Sequence, residues 1–78
     1  MVNAMVLTRF AVGKEKEAME EIKKIPGVVE VKTVFGAWDA VILVEADGLK
    51  ELADVVVDRI RCTNGVIGTE TLVEVGIG

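Results

Sequence analysis

Two short polar stretches hold the residues best suited to chemistry: "GAWD", Gly36 to Asp39, and "GTET", Gly68 to Thr71. Asp39 is the first charge after Lys32, and the next is Glu45, so its carboxylate stands alone beside Trp38. Gly36 has no Cβ and allows close backbone approach. Thr69 and Thr71 add two hydroxyls. This is equipment for binding, not for covalent chemistry. The chain has no histidine, tyrosine or serine, and histidine is the commonest general acid and base. Cys62 and the threonines have no evident base to activate them. Each stretch also has a plain structural reading. Asp39 can cap a backbone amide in a turn while Trp38 packs at an edge, and threonine is a good strand residue.

Composition narrows the class. Seventy-eight residues make one small domain, residues 1–78, with no room for a second core. Nine basic and thirteen acidic residues give a net charge of −4 and no basic stripe, which disfavours direct nucleic-acid binding. Phe10, Phe35 and Trp38 are too few for a base-stacking platform. No secretion signal or membrane-length apolar run occurs, so a soluble cytoplasmic protein is expected. A single cysteine rules out a disulfide framework and Cys-x-x-Cys metal sites. Cys62 is expected to act as a small buried or half-buried hydrophobe. No cofactor or metal is called for. With 51% apolar residues and no staples, some apolar surface should be covered by another subunit.

The elements that must position the two stretches follow in order. Val2 to Phe10 reads as a strand. After Gly13, "KEKEAMEEIKKI" repeats Ala18, Met19, Ile22 and Ile25 at helical spacing, with acidic residues first and lysines last. Pro26-Gly27 stops that helix. Val28 to Phe35 alternates around Glu30 and Lys32. Gly36-Ala37 turns the chain into an antiparallel strand, Trp38 to Ala46. Asp47 is a plausible N-cap for "GLKELADVVVDRIR", whose stripe is Leu49, Leu52, Ala53, Val56 and Ile60, with Val55 off it, exposed or at a subunit contact. Asn64-Gly65 ends it, and Val66 to Val75 forms the last strand. A faint duplication links "PGVVEVKTVFG" with "NGVIGTETLVEVG".

That order, βαββαβ, predicts an α+β, ferredoxin-like fold: a four-stranded antiparallel sheet with both helices on one face. The first and third strands, central in it, are apolar on both sides. The face without helices therefore needs a partner, and a homodimer packed sheet on sheet is the economical solution. If these two strands run parallel, Arg9 and Glu45 should pair at the rim of that face.

The whole chain resembles the effector-binding half of the Lrp/AsnC, or feast/famine, transcription regulators. The resemblance is carried by "IPGVVEV", "VFGAWDAVILVEA" and "IRCTNGVIGTETLV", in this order. Gly36, Trp38 and Asp39 meet a Gly-x-aromatic-Asp pattern, with tryptophan where tyrosine is more usual. Gly65, Val66, Thr69 and Thr71 meet a Gly-Val…Thr-x-Thr pattern. The resemblance implies a dimer that assembles into rings, often octameric, with an amino acid or related metabolite bound between dimers. It implies a stand-alone module without the helix-turn-helix half, acting in transcription regulation through a full-length regulator. The acidic charge agrees with no direct nucleic-acid contact, and the lack of a membrane-length apolar run with no membrane contact. The expected ligand-binding residues are Gly36, Ala37, Trp38, Asp39, Gly68, Thr69 and Thr71. In the assignment made here, Asp39 meets the ammonium, amides near Gly36 and Gly68 with the threonine hydroxyls meet the carboxylate, and Trp38 walls the side chain.

Two other readings stand beside this one. A dimeric α+β barrel enzyme would share the fold, and a purely structural oligomerisation module would use both stretches only as turn and strand. An amino-acid-sensing ACT domain is close in role and topology, but the Gly-x-Trp-Asp and Thr-x-Thr positions favour the Lrp/AsnC type.

Overall fold

The computed structural model describes residues 1–75. Strand β1 is Val2–Phe10, helix α1 Glu15–Lys23, β2 Val28–Thr33, β3 Ala40–Ala46, α2 Leu49–Ala53, and β4 Val66–Val73. Between α2 and β4 the helix continues as a π-helix, Asp54–Ile60. The strands form one antiparallel sheet in the order β2-β3-β1-β4, which with two helices is the expected ferredoxin-like architecture.

Strand alternation decides where the core lies. Ala4, Val6, Thr8 and Phe10 of β1 are buried, as are Ala40, Ile42 and Val44 of β3. Residues directly opposite across a ladder share a face, so the pairs Val6–Ile42 and Ala4–Val44 fix the helix-covered side. Ala18 and Ile22 of α1, Ile25 just after it, and Leu52, Val56 and Ile60 of the second helical stretch close over it. Each fully buried aliphatic side chain stabilises the fold by about 1.5–3 kcal/mol. On β2, a bulge between Val28 and Glu30 lets Val28 and Val31 both face inward, three residues apart. It also leaves Val29 exposed.

The opposite face carries no helix. Met5 and Leu7 of β1, Val41 and Leu43 of β3, and Leu72 of β4 make an apolar band across it. Met5 and Leu72 are exposed, and the other three are half-buried. Glu30, Lys32, Glu45, Glu70 and Arg9 surround the band.

Several expectations need correction. β1 and β3 are antiparallel, because the crossover through α1 keeps β1 and β2 in one direction and the hairpin then reverses β3. Glu45 therefore sits opposite Asn3, and Arg9 lies about 20 Å further along β1. Arg9 and Glu45 share a face but do not pair. Asp47 is not a cap: Gly48 holds the N-cap position in extended backbone, with no side-chain cap bond. Leu49 and Ala53 are exposed, whereas Val55 is half-buried against the core. The π segment explains the shift at Val55. Its i→i+5 bonding, seen as Arg61 N–H to Val56 O at 2.9 Å, puts more residues in each turn than an α-helix holds. The buried stripe becomes Leu52, Val56 and Ile60, four apart. Cys62 is exposed, since it follows this helix in the turn, and its thiol donates to Val57 O at 3.5 Å.

Candidate functional site

The loop that bears Asp39 is longer than a two-residue hairpin turn. Thr33–Ala40 is the last ladder pair of β2 and β3, so residues 34–39 form the connection. Gly36 takes φ +114°, a conformation that favours glycine, and a Cβ there would meet nothing within 4 Å. Phe35 beside it is fully exposed. Val34 N–H donates to Asp39 O at 3.0 Å and closes the loop.

Asp39 then ties the loop to β1. Its N–H donates to Thr8 O at 2.9 Å, and its Oδ2 accepts from Phe10 N–H at 2.9 Å. The β3 ladder with β1 begins only at Ala40, one residue after Asp39, and the carboxylate stands in for the carbonyl that Phe10 would otherwise meet. The structural role expected of Asp39, capping a backbone amide, is therefore present. Oδ1 has no hydrogen-bond partner among the described residues. Trp38 and Asp39 are half-buried, while Gly36 and Ala37 are exposed.

The second stretch lies on the other flank of β1. Gly68 is opposite Arg9, Thr69 opposite Thr8, and Thr71 opposite Val6. A Cβ on Gly68 would lie 4.0 Å from the Arg9 side chain, so the arginine stem covers that glycine on the open face. Thr69 and Thr71 share the helix-facing side with Thr8 and Val6. Thr8 itself is fully buried and donates its hydroxyl to Val6 O at 3.3 Å. The hydroxyls of Thr69 and Thr71 have no such partner among the described residues.

Both stretches thus flank one end of β1, two strand spacings or roughly 10 Å apart. They do not line one cavity within a single chain. Gly68, Thr69 and Thr71 line an open cleft of about 690 Å3 between the π segment and β4, together with Val56, Val57 and Arg61. Trp38 and Asp39 lie outside it. Arg61 was not anticipated from sequence. The signal available was its position at the end of a helix, followed four residues on by the Gly65-Val66 pair. Among the described residues no cluster of three or more histidine, cysteine, aspartate or glutamate side chains gathers to hold a metal, and no helix is long and apolar enough to cross a membrane.

An antiparallel sheet with one helix-covered face, an apolar open face and a small cleft at the sheet edge defines a compact α+β binding module. The sequence pattern assigns it further. The model of the Lrp/AsnC ligand binding domain matches residues 4–75, and the chain belongs to that family. An HTH-type transcriptional regulator of Pyrococcus furiosus is 42% identical over 59 residues, covering 76% of this chain. The chain spans only 39% of that regulator's length. The crystal structure of TTHA0845 from Thermus thermophilus superposes with a TM-score of 0.93 at 37% identity, over 100% of this chain and 98% of that one. Escherichia coli AsnC shares the fold, with a TM-score of 0.89 at 18% identity, over 96% of this chain and 51% of that one. The family and its curated relatives are transcription regulators, not enzymes.

Proposed function

We propose that this chain is an amino-acid-responsive oligomerisation module of transcription regulation in the cytoplasm. It dimerises through its open sheet face, assembles further into a ring, and acts by joining a regulator that carries a DNA-binding half. The observation that carries this reading is the band of Met5, Leu7, Val41, Leu43 and Leu72 on the face without helices. A second sheet at about 10 Å would cover it, and an apolar patch rimmed by charge is the usual mark of such a contact.

The two polar stretches flank one end of β1, with Thr69 and Thr71 on the helix-covered side at the sheet edge, and neighbouring copies can bring the Asp39 of one chain to the threonines of another. A ligand bound only by the assembled form shifts assembly by its differential affinity. Micromolar to millimolar binding, roughly −8 to −4 kcal/mol, suffices for a metabolite sensor.

The test is light scattering and thermal shift with the common amino acids, on the native chain and on Asp39→Asn. Asparagine keeps an oxygen for Phe10 N–H and removes the charge. An amino acid that changes oligomer size for the native chain, and does so far less for the variant, supports the sensor. A second reading, the purely structural oligomer, is favoured by the engagement of Asp39 Oδ2 with Phe10. Oligomers indifferent to every amino acid at millimolar concentration would establish it.

A further inference from the structure

We propose that the open sheet face receives a second copy of this chain end over end, about a two-fold axis that runs across the strands. Lys32 of each copy then lies over Glu30 of the other, and Arg9 of each reaches Glu74 of the other. This rests on the sheet-face contact proposed above and names the one arrangement of it that the charges favour.

The charges on the open face are sorted along the strands. In one half Glu45 and Glu74 stand on either side of Asn3, with Glu30 at the β2 edge opposite Leu43. In the other half are Arg9, opposite Gly68, Lys32, opposite Val41, and Glu70, opposite Leu7. All six charged residues are exposed. One half therefore holds three carboxylates and no cation, and the other two cations and one carboxylate. Among the described residues the ion pairs are Lys24–Glu21 and Lys50–Asp54, both along the helices. Arg9 and Lys32 have no ion-pair partner among them.

Two aligned sheets related by a two-fold axis can meet in two ways. An axis along the strands puts like halves together and gathers the carboxylates of both copies at one end, without a cation. An axis across the strands lays each acidic half on the other copy's basic half. Like charges brought together at an interface are costly, whereas opposite ones fix its register. The second arrangement is the favoured one.

The ladder pairs then give the contacts. With the axis midway between the Met5–Leu43 and Leu7–Val41 rows, Met5 meets Leu7 of the other copy and Leu43 meets Val41. A groove of about 430 Å3 lies in the acidic half, with Met5, Leu43 and Leu72 in its wall and Glu45 and Glu74 at its rim. Leu7 and Val41 of the other copy enter it, and Arg9 comes to its rim. The Arg9 stem lies over Gly68, which has no side chain, so Glu74 of the other copy has room to reach the guanidinium. An angle of about 30° between the sheets moves an edge residue by about 4 Å, which the stem of Lys32 spans. Glu45 comes above the connection that holds Asp39, whose Oδ2 is already bonded to Phe10 N–H.

The experiment is sedimentation velocity at low salt on the native chain, Lys32→Glu and Glu30→Lys. Each variant sets like charges at two contacts per dimer and should raise the dimer Kd about tenfold, and less at about 0.5 M salt. An equimolar mixture of the two should recover native affinity as a heterodimer, read by native mass spectrometry with one of them isotope-labelled. Positions 30 and 32 carry like charges within each variant, so the attraction can arise only between copies. A second measurement places spin labels at Phe35→Cys in a Cys62→Ser chain, since Phe35 is fully exposed beyond the basic half. The labels should lie about 30 Å apart end over end, against about 15 Å for an axis along the strands. A Glu30→Lys dimer as tight as the native one, no preference for the heterodimer, or labels about 15 Å apart would each overturn the arrangement. If Lys32→Glu is rescued by Glu70→Lys instead, the axis runs along the strands; the sheet-face contact stands and this arrangement falls. A native chain that stays monomeric at millimolar concentration, or a dimer that persists in Leu43→Lys, overturns the sheet-face contact and the arrangement with it. If the labels and the heterodimer behave as expected while no amino acid alters assembly, the arrangement stands and the amino-acid sensor falls.

Discussion

Asp39 and Phe10, twenty-nine residues apart, are joined by one hydrogen bond from the Phe10 amide to Asp39 Oδ2 at 2.9 Å. That bond fastens the 34–39 connection to a central strand at the point where β3 departs from it. Asp39→Ala leaves the Phe10 N–H without its partner, while Asp39→Asn keeps an acceptor. A backbone donor left unsatisfied costs about 1–3 kcal/mol when buried, and this one is part-buried, so the alanine variant should lose about 1 kcal/mol. The asparagine variant should lose less than half of that. Urea unfolding at one fixed protein concentration measures both, since the stability of an oligomer depends on concentration. Equal losses would mean that the charge, not the hydrogen bond, is the stabilising feature.

Leu43 tests the sheet face. It lies across from Met5 in the middle of the apolar band and contributes nothing to the helix-covered core. Leu43→Lys places a charge at the centre of the proposed sheet-on-sheet contact, where a buried, unpaired ammonium is costly. The dimer dissociation constant should rise at least about a hundredfold, as a loss near 3 kcal/mol implies, with far-ultraviolet circular dichroism unchanged. Sedimentation velocity reads the change. A dimer that persists in Leu43→Lys would place the contact elsewhere.

Gly65, in the turn before β4, packs against the start of α1. Its φ is +99°, and a Cβ there would stand 2.8 Å from Lys14 Cβ and 3.3 Å from Ala18 Cβ. Gly65→Ala combines an unfavourable backbone with a clash at the start of α1, and should cost more than ~2 kcal/mol. Gly13 has φ +87° with nothing within 4 Å, so Gly13→Ala carries only the backbone penalty of ~1–2 kcal/mol. The difference between the two, read by thermal or urea unfolding, isolates the clash.

The order of elements was legible because each boundary has a local cause. Pro26-Gly27 and Asn64-Gly65 mark ends of helical stretches, and alternation in β1 and β3 marks strands with two apolar sides. The expected Arg9–Glu45 pair failed because parity along a strand fixes a side chain's face, whereas position along the sheet depends on which strands are antiparallel. The placement of Asp39 on one flank of β1 and of Thr69 on the other follows from the expected topology, in which β1 and β3 are central and β4 takes the free side of β1. The bond from Phe10 to Asp39 depends on where β3 leaves its ladder, a choice that no local pattern records. Arg61 was hidden for a related reason: its direction is set by i→i+5 winding, and the residues Asp54 to Ile60 read equally well as an ordinary α-helix.

The winding itself makes the last prediction. An α-helical reading of the second helix puts Leu49 and Ile60 on one buried stripe and leaves Val55 outside. In the structure Ile60 is fully buried, Leu49 is 67% exposed, and Val55 packs against the core, with its Cγ2 3.2 Å from where a Cβ on Gly27 would sit. Ile60→Ala should therefore cost about 2–5 kcal/mol, as for other buried aliphatic truncations. Leu49→Ala should change stability by no more than about 0.5 kcal/mol, as exposed substitutions do. Val55→Ala should fall between them, because its side chain fills the space beside Gly27. The three variants, compared by urea midpoint at one protein concentration, separate the two windings by the order of Leu49 and Val55, with Ile60 the buried reference in both. A loss at Leu49 as large as that at Ile60, with none at Val55, would show the segment to be α-helical in solution and would turn Arg61 away from the cleft.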